Sequence, residues 1–129
     1  MRFYYHSAYV VIHMNASKFF KSFNFAFQGI CTAFLQQNMK VHVVCAIAVI
    51  IAGFVTGLSP IEWSILVIVI STVISLEMIN TAIEAVVDLA SPTIHPLAKI
   101  AKDVAAGSVL VFAIASVIIG GLIFFPKWF

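Results

Sequence analysis

The feature that most constrains this chain is the uncharged apolar run from Val104 to Phe125. As a helix it reaches about 33 Å, enough to cross a hydrocarbon core of ~30 Å. Two similar runs precede it, Val41 to Leu58 and the stretch opening at Trp63. With 63% hydrophobic and 9% charged residues among 129, the chain is far from a soluble domain, where about a quarter of residues are charged. The expectation is a single-domain, all-α membrane protein of three transmembrane helices, with no room for a separate soluble enzyme domain.

The remaining segments are organised around these runs. In N-A-S-K-F-F-K-S-F-N-F-A-F-Q, residues 15–28, Phe19, Phe20, Phe23 and Phe27 recur at helical spacing with Lys18, Lys21, Asn24 and Gln28 mostly on other faces. This predicts an N-terminal amphipathic surface helix over about 15–28, with Asn15 or Ser17 as its cap. Transmembrane helices are expected over about 30–58, 61–89 and 99–125, with Pro60 in the first turn of the second. Residues 1–14 are expected to be a poorly defined extension without a secretory signal, because they lack a long apolar stretch and a small-residue cleavage site. Met14 is an alternative start.

Charge supplies the orientation. Seven basic and five acidic side chains are too few for a nucleic-acid-binding face, so no nucleic acid partner is expected. Lys18, Lys21 and Lys40 precede the first span, Lys99 and Lys102 lie between the second and third, and the G-L-S-P turn at 57–60 has none. The positive-inside rule then puts the N-terminus in the cytoplasm and the C-terminus outside, with Trp128 as an interfacial anchor. Cys31 and Cys45 form no C-x-x-C or metal pattern and read as buried packing residues. His6, His13, His42 and His95 are scattered and read as interfacial or loop histidines. Glu62 reads as a solvated helix-start acid.

The second span departs from a lipid-solvated helix in its second half. Glu77, Asn80, Thr81, Glu84 and Asp88 recur at i, i+3, i+4, i+7 and i+11 and share one stripe. An acidic side chain at mid-membrane costs about 2.5 to 3.5 kcal/mol even on the lower scales, so such a stripe faces protein or water and marks a functional site. Carboxylates this close suit a base role for one and metal ligation for another. Lys102 and Asp103 fall at the same depth, and a lysine beside carboxylates fits a magnesium-bound phosphate whose transfer an acid directs. Neither a G-x-x-x-x-G-K-[ST] loop nor the protein-kinase signature set is present. A proton or cation pathway remains an alternative, although Trp63 to Leu76 offers only Ser64, Ser71, Thr72 and Ser75 as polar stations.

The string E-M-I-N-T-A-I-E-A-V-V-D, Glu77 to Asp88, closely resembles the signature of the small prokaryotic diacylglycerol kinase and undecaprenol kinase family. A-K-D-V-A-A-G-S-V, Ala101 to Val109, resembles its second block, and F-N-F-A-F-Q-G-I its entry helix. The similarity covers about Ser17 to Phe125. It implies a homotrimer in the bacterial inner membrane, with sites shared between subunits, that phosphorylates a membrane lipid alcohol with ATP and Mg2+ at the cytoplasmic interface. It further implies Glu77 as catalytic base and Glu84 as metal ligand. Asn80, Asp88, Lys102 and Asp103 would be nucleotide or phosphate contacts, with Lys18 the aligned basic residue of the entry helix and Phe25 standing where some relatives have tyrosine. Gln36 occupies a position where the family usually has a metal-ligating glutamate; its amide oxygen can coordinate but adds no charge, so weaker metal binding and a weakened or silent enzyme are also implied. N-M-K-V-H, Asn38 to His42, and the connection from His95 to Asp103 resemble the branch that favours undecaprenol over diacylglycerol.

Overall fold

The computed structural model describes residues 16–129 as four helices, α1 (Ala16–Phe34), α2 (Gln37–Thr56), α3 (Pro60–Ala90) and α4 (Pro96–Trp128). No strand occurs among the described residues. Met14 and Asn15, a candidate start and a candidate cap, lie outside the described residues, as do His6 and His13. Three helices, α2, α3 and α4, are long and apolar enough to cross a membrane.

Of the described residues, those up to Thr32 fall in one compact unit and those from Ala33 onward in another. Along α1 the ring of Phe19 meets Phe20 and Phe23 edge-on, with centroids 6.1 and 5.1 Å apart. The Ser22 hydroxyl donates to the Lys18 carbonyl and that of Thr32 to Gln28. Ser17 lies within the first helical turn rather than at a cap.

The expected boundary between surface helix and first span needs correction. Residues 30–34 continue α1, and the chain breaks at 35–36 instead. Gln36 is extended (φ −69°, ψ 143°) and is the N-cap residue of α2. Its N–H donates to the Ala33 carbonyl at 3.0 Å, and its own carbonyl accepts from the Lys40 N–H at 3.2 Å. Gly29 weakens a helix by only about 1 kcal/mol, so it did not end one. The actual break carries neither glycine nor proline, and hence no local signal.

The turn joining α2 to α3 is built from residues chosen for backbone geometry. Gly57 has a positive φ of 71° and donates to the carbonyls of Gly53 and Phe54, closing α2; a side chain there would be strained. Ser59 then caps α3. Its Oγ accepts from the Glu62 N–H at 3.3 Å while the Glu62 carboxylate accepts from the Ser59 N–H at 2.7 Å, with Pro60 in the first turn. Gly53 admits Trp63, because a Cβ at Gly53 would stand 2.8 Å from the indole Cη2.

α3 packs along α4 and, over a shorter contact, along α2. The core at the turn end joins Leu58, Leu66, Ile123 and Phe124, with Val49, Ala52, Trp63, Ile70 and Ile119 against it. Trp128 Nε1 donates to Thr56 Oγ1 at 2.9 Å and Lys127 pairs with Glu62 at 3.1 Å, fastening the end of α4 to the turn. Most other apolar side chains face outward on the single chain, among them Val67 and Val117, as expected where lipid or another subunit supplies the solvent. Cys31 and Cys45 are likewise exposed, not buried.

Candidate functional site

α3 continues through the acidic stripe without interruption, so its helical period fixes how the polar side chains fan out. Glu77 and Asn80 are the two buried polar residues of the described chain, each only 3% exposed. Asn80 Nδ2 donates to Glu84 Oε1 at 3.2 Å, one turn further along. The other amide atom, Asn80 Oδ1, is buried with no hydrogen-bond partner. A buried acceptor left unpaired costs about 1 to 3 kcal/mol, so this oxygen stands out against a fold whose buried polar groups are otherwise paired.

α2 contributes two residues that sequence reasoning did not place in the site. His42 Nε2 lies 3.9 Å from Glu77 Oε2, and the Asn38 side chain also interacts with that carboxylate. His42 therefore lies on α2 against α3, not in a loop. The signal was available: Asn38 and His42 are four residues apart, on one helical face, at the end of α2 that bears Lys40.

Nearer the end of α3 the stripe becomes exposed. Lys102 Nζ donates to Asp88 Oδ1 at 2.9 Å across the α3–α4 junction, while Asp103 pairs with Lys99 one turn back on α4. Lys102 and Asp103 thus work through different partners. Between them opens a cleft of about 380 Å³ whose lining includes Asp88, Ser91, Thr93, His95, Lys99, Lys102 and Asp103. His95 caps α4, its Nδ1 accepting from the Leu97 N–H at 3.2 Å. The Glu84 carboxylate lies within electrostatic reach of both Glu77 and Lys102, so buried and exposed parts form one charged track.

Two further expected site residues lie outside α3 and α4. Gln36 is exposed at the N-cap of α2, with no side-chain cap hydrogen bond. Lys18 belongs to α1 and to the other compact unit. Thr81 is half-buried on the stripe.

The donor chemistry fits a hard divalent cation: a carboxylate at Glu84 and a free amide oxygen at Asn80 are oxygen ligands. Among the described residues no three or more His, Cys, Asp or Glu side chains converge as a metal-binding group.

A charged track on a long apolar helix, opening into a cleft lined by Lys99 and Lys102, is an arrangement suited to an anionic guest such as phosphate in a membrane protein. The family model described as prokaryotic diacylglycerol kinase matches residues 24–124. A protein of Bacillus subtilis named undecaprenol kinase is 54% identical over 112 residues, 86% of this chain and 91% of that one. A Synechocystis protein named diacylglycerol kinase is 45% identical over 107 residues, 81% of this chain and 61% of the longer relative. A diacylglycerol kinase of Haemophilus influenzae is 32% identical over 107 residues, 81% and 90% of the two chains. The chain is a lipid kinase of a bacterial membrane. It belongs to the prokaryotic diacylglycerol kinase family, and membership implies a divalent cation alongside a phosphate donor.

Proposed function

We propose that this kinase transfers the γ-phosphoryl group of ATP to the hydroxyl of undecaprenol in preference to diacylglycerol, with Mg2+, at the cytoplasmic face of the membrane. The observation that carries the reading is the buried Glu77 carboxylate at the head of a track running to Lys102. Water is scarce at Glu77, so a carboxylate there can take a proton from a lipid hydroxyl while the apolar tail stays in the bilayer. The hydroxyl oxygen bonds to the γ-phosphorus as the bond to the bridging oxygen breaks, ADP leaves, and the proton resides on Glu77.

Glu84 and Asn80 would hold the cation, which when bound neutralises charge on the phosphates. Gln36 is proposed to complete that donor set in a homotrimer with shared sites, since on the single chain it is an exposed cap. Lys102, Asp88, Asp103 and Lys18 are proposed as nucleotide contacts, with Lys102 exchanging Asp88 for phosphate. The basic residues Lys40, Lys99 and Lys102 support a cytoplasmic N-terminus and an external C-terminus. Preference for undecaprenol rests on the 54% identity to the Bacillus subtilis enzyme, against 45% to the Synechocystis diacylglycerol kinase.

The test is ATP-dependent phosphorylation of undecaprenol and diacylglycerol, side by side in mixed micelles. Faster transfer to undecaprenol is the expected outcome; faster transfer to diacylglycerol reverses the preference, and transfer to neither overturns the reading. An ion-conducting role has less support, because the Ser64, Ser71 and Thr72 hydroxyls each spend their one proton on a carbonyl of their own helix.

A further inference from the structure

Among the described residues, His42 is the one titratable side chain that approaches Glu77 from another helix. Its Nε2 lies 3.9 Å from Glu77 Oε2, with the histidine side chain 20% and the glutamate side chain 4% exposed. That separation is too long for a formed hydrogen bond. It is short enough for a small rotation of either side chain to make one, as happens when catalytic contacts tighten around substrate.

A second observation bears on what else the imidazole could serve. His42 also lines a half-open cavity of about 370 Å³ between α2, α3 and α4, where, among the described residues, the only other lining side chains bearing polar atoms are Cys45 and Ser116. The Ser116 hydroxyl is committed to the Phe112 carbonyl at 2.7 Å. Cys45 is a weak partner at best. The cavity side of the imidazole therefore offers little competition, and the strong acceptor within reach is Glu77. An imidazole between an apolar wall and a buried carboxylate has few orientations open to it.

We propose that His42 is a positioning residue for the kinase reaction: it donates from Nε2 to Glu77 and holds the carboxylate in the orientation that accepts the proton of the lipid hydroxyl. This rests on the assignment of Glu77 as the base. A carboxylate with a fixed partner loses less freedom on reaching the reactive geometry, and a misplacement of 1 Å can cost about 100-fold in rate. His42 touches neither phosphate nor lipid in this role, so its removal acts on turnover and not on nucleotide affinity.

The test uses the full chain in micelles or nanodiscs, with His42→Ala, His42→Gln, Glu77→Gln and the double variant His42→Ala/Glu77→Gln. His42→Ala should lower kcat by about 100-fold with KM for ATP unchanged. His42→Gln, whose amide can donate similarly, should recover about tenfold of that loss. The double variant should be no slower than Glu77→Gln alone. Independently of activity, the imidazole 15N resonances of His42 should shift on Glu77→Gln and stay unmoved on Glu62→Gln. If His42→Ala keeps kcat within about twofold of wild type while Glu77→Gln is inactive, the positioning role is overturned and the kinase site stands. If Glu77→Gln is itself active, the base assignment fails and the positioning role with it. Should His42→Ala fail to assemble, the resonances decide: an imidazole indifferent to Glu77→Gln overturns the proposal whatever the kinetics.

Discussion

The two ends of the α2–α4 bundle use the same kinds of side chain to opposite effect. At the turn end, Ser59 and Glu62 satisfy one another's backbone groups, Lys127 pairs with Glu62, and Trp128 bonds Thr56. Each polar group there has a local partner near a helix terminus, where helices need one. At the acidic end, two polar residues are buried to 3%, one amide oxygen has no partner, and a histidine stands 3.9 Å from a buried carboxylate. On this contrast the turn end serves the fold. A satisfied network closes a fold, whereas an incompletely satisfied one persists where substrate, cation or partner subunit completes it.

The contrast can be broken most sharply at Glu77. Glu77→Gln should reduce phosphoryl transfer about a thousandfold, the range for loss of a general base, with the thermal transition preserved. Retained transfer would remove the catalytic meaning of the acidic end. Asn80→Leu sharpens the distinction between folding and function. It should raise the metal concentration needed for half-maximal activity by about 10 to 100-fold, while thermal unfolding stays near its wild-type position because loss of the unpaired buried oxygen offsets loss of the Nδ2 bond to Glu84. A loss of stability with an unaltered metal requirement would make Asn80 a structural residue.

Gln36→Glu is expected to lower the metal requirement by about tenfold, since it adds a charged ligand; a metal titration that does not move removes Gln36 from the donor set. The smallest effect belongs to the other end. Ser59→Ala deletes half of the capping box and should cost about 1 kcal/mol of stability, read as a lowered unfolding temperature. Its kcat should remain at the wild-type value at permissive temperature. A fall in kcat would couple the two ends and dissolve the contrast.

Much of this site was legible in the chain. The i, i+3, i+7, i+11 spacing on α3 is a property of helical period, and the cost of acids in lipid makes such a stripe conspicuous before any coordinates exist. The break before α2 was not legible, because Leu35 and Gln36 are unremarkable residues whose turn is closed by backbone bonds to Ala33 and Lys40. Nor were the pairings of the lysines: sequence adjacency joined Lys102 to Asp103, but helix geometry hands Asp103 to Lys99 one turn away and turns Lys102 toward Asp88.

The class of molecule, its three long apolar helices, the turn at Gly57–Pro60 and the membership of the acidic stripe were therefore all written in local composition and period, whereas the Ser59–Glu62 capping box was not read from them. Only the tertiary structure decided that His42 and Asn38 approach Glu77, that Asn80 divides its amide between Glu84 and an empty partnership, and that Lys102 closes on Asp88. These depend on how one helix is rotated against the next. That rotation is set by the packing of whole faces, such as Trp63 over Gly53 and Ile123 and Phe124 against Leu66, and no single segment encodes it.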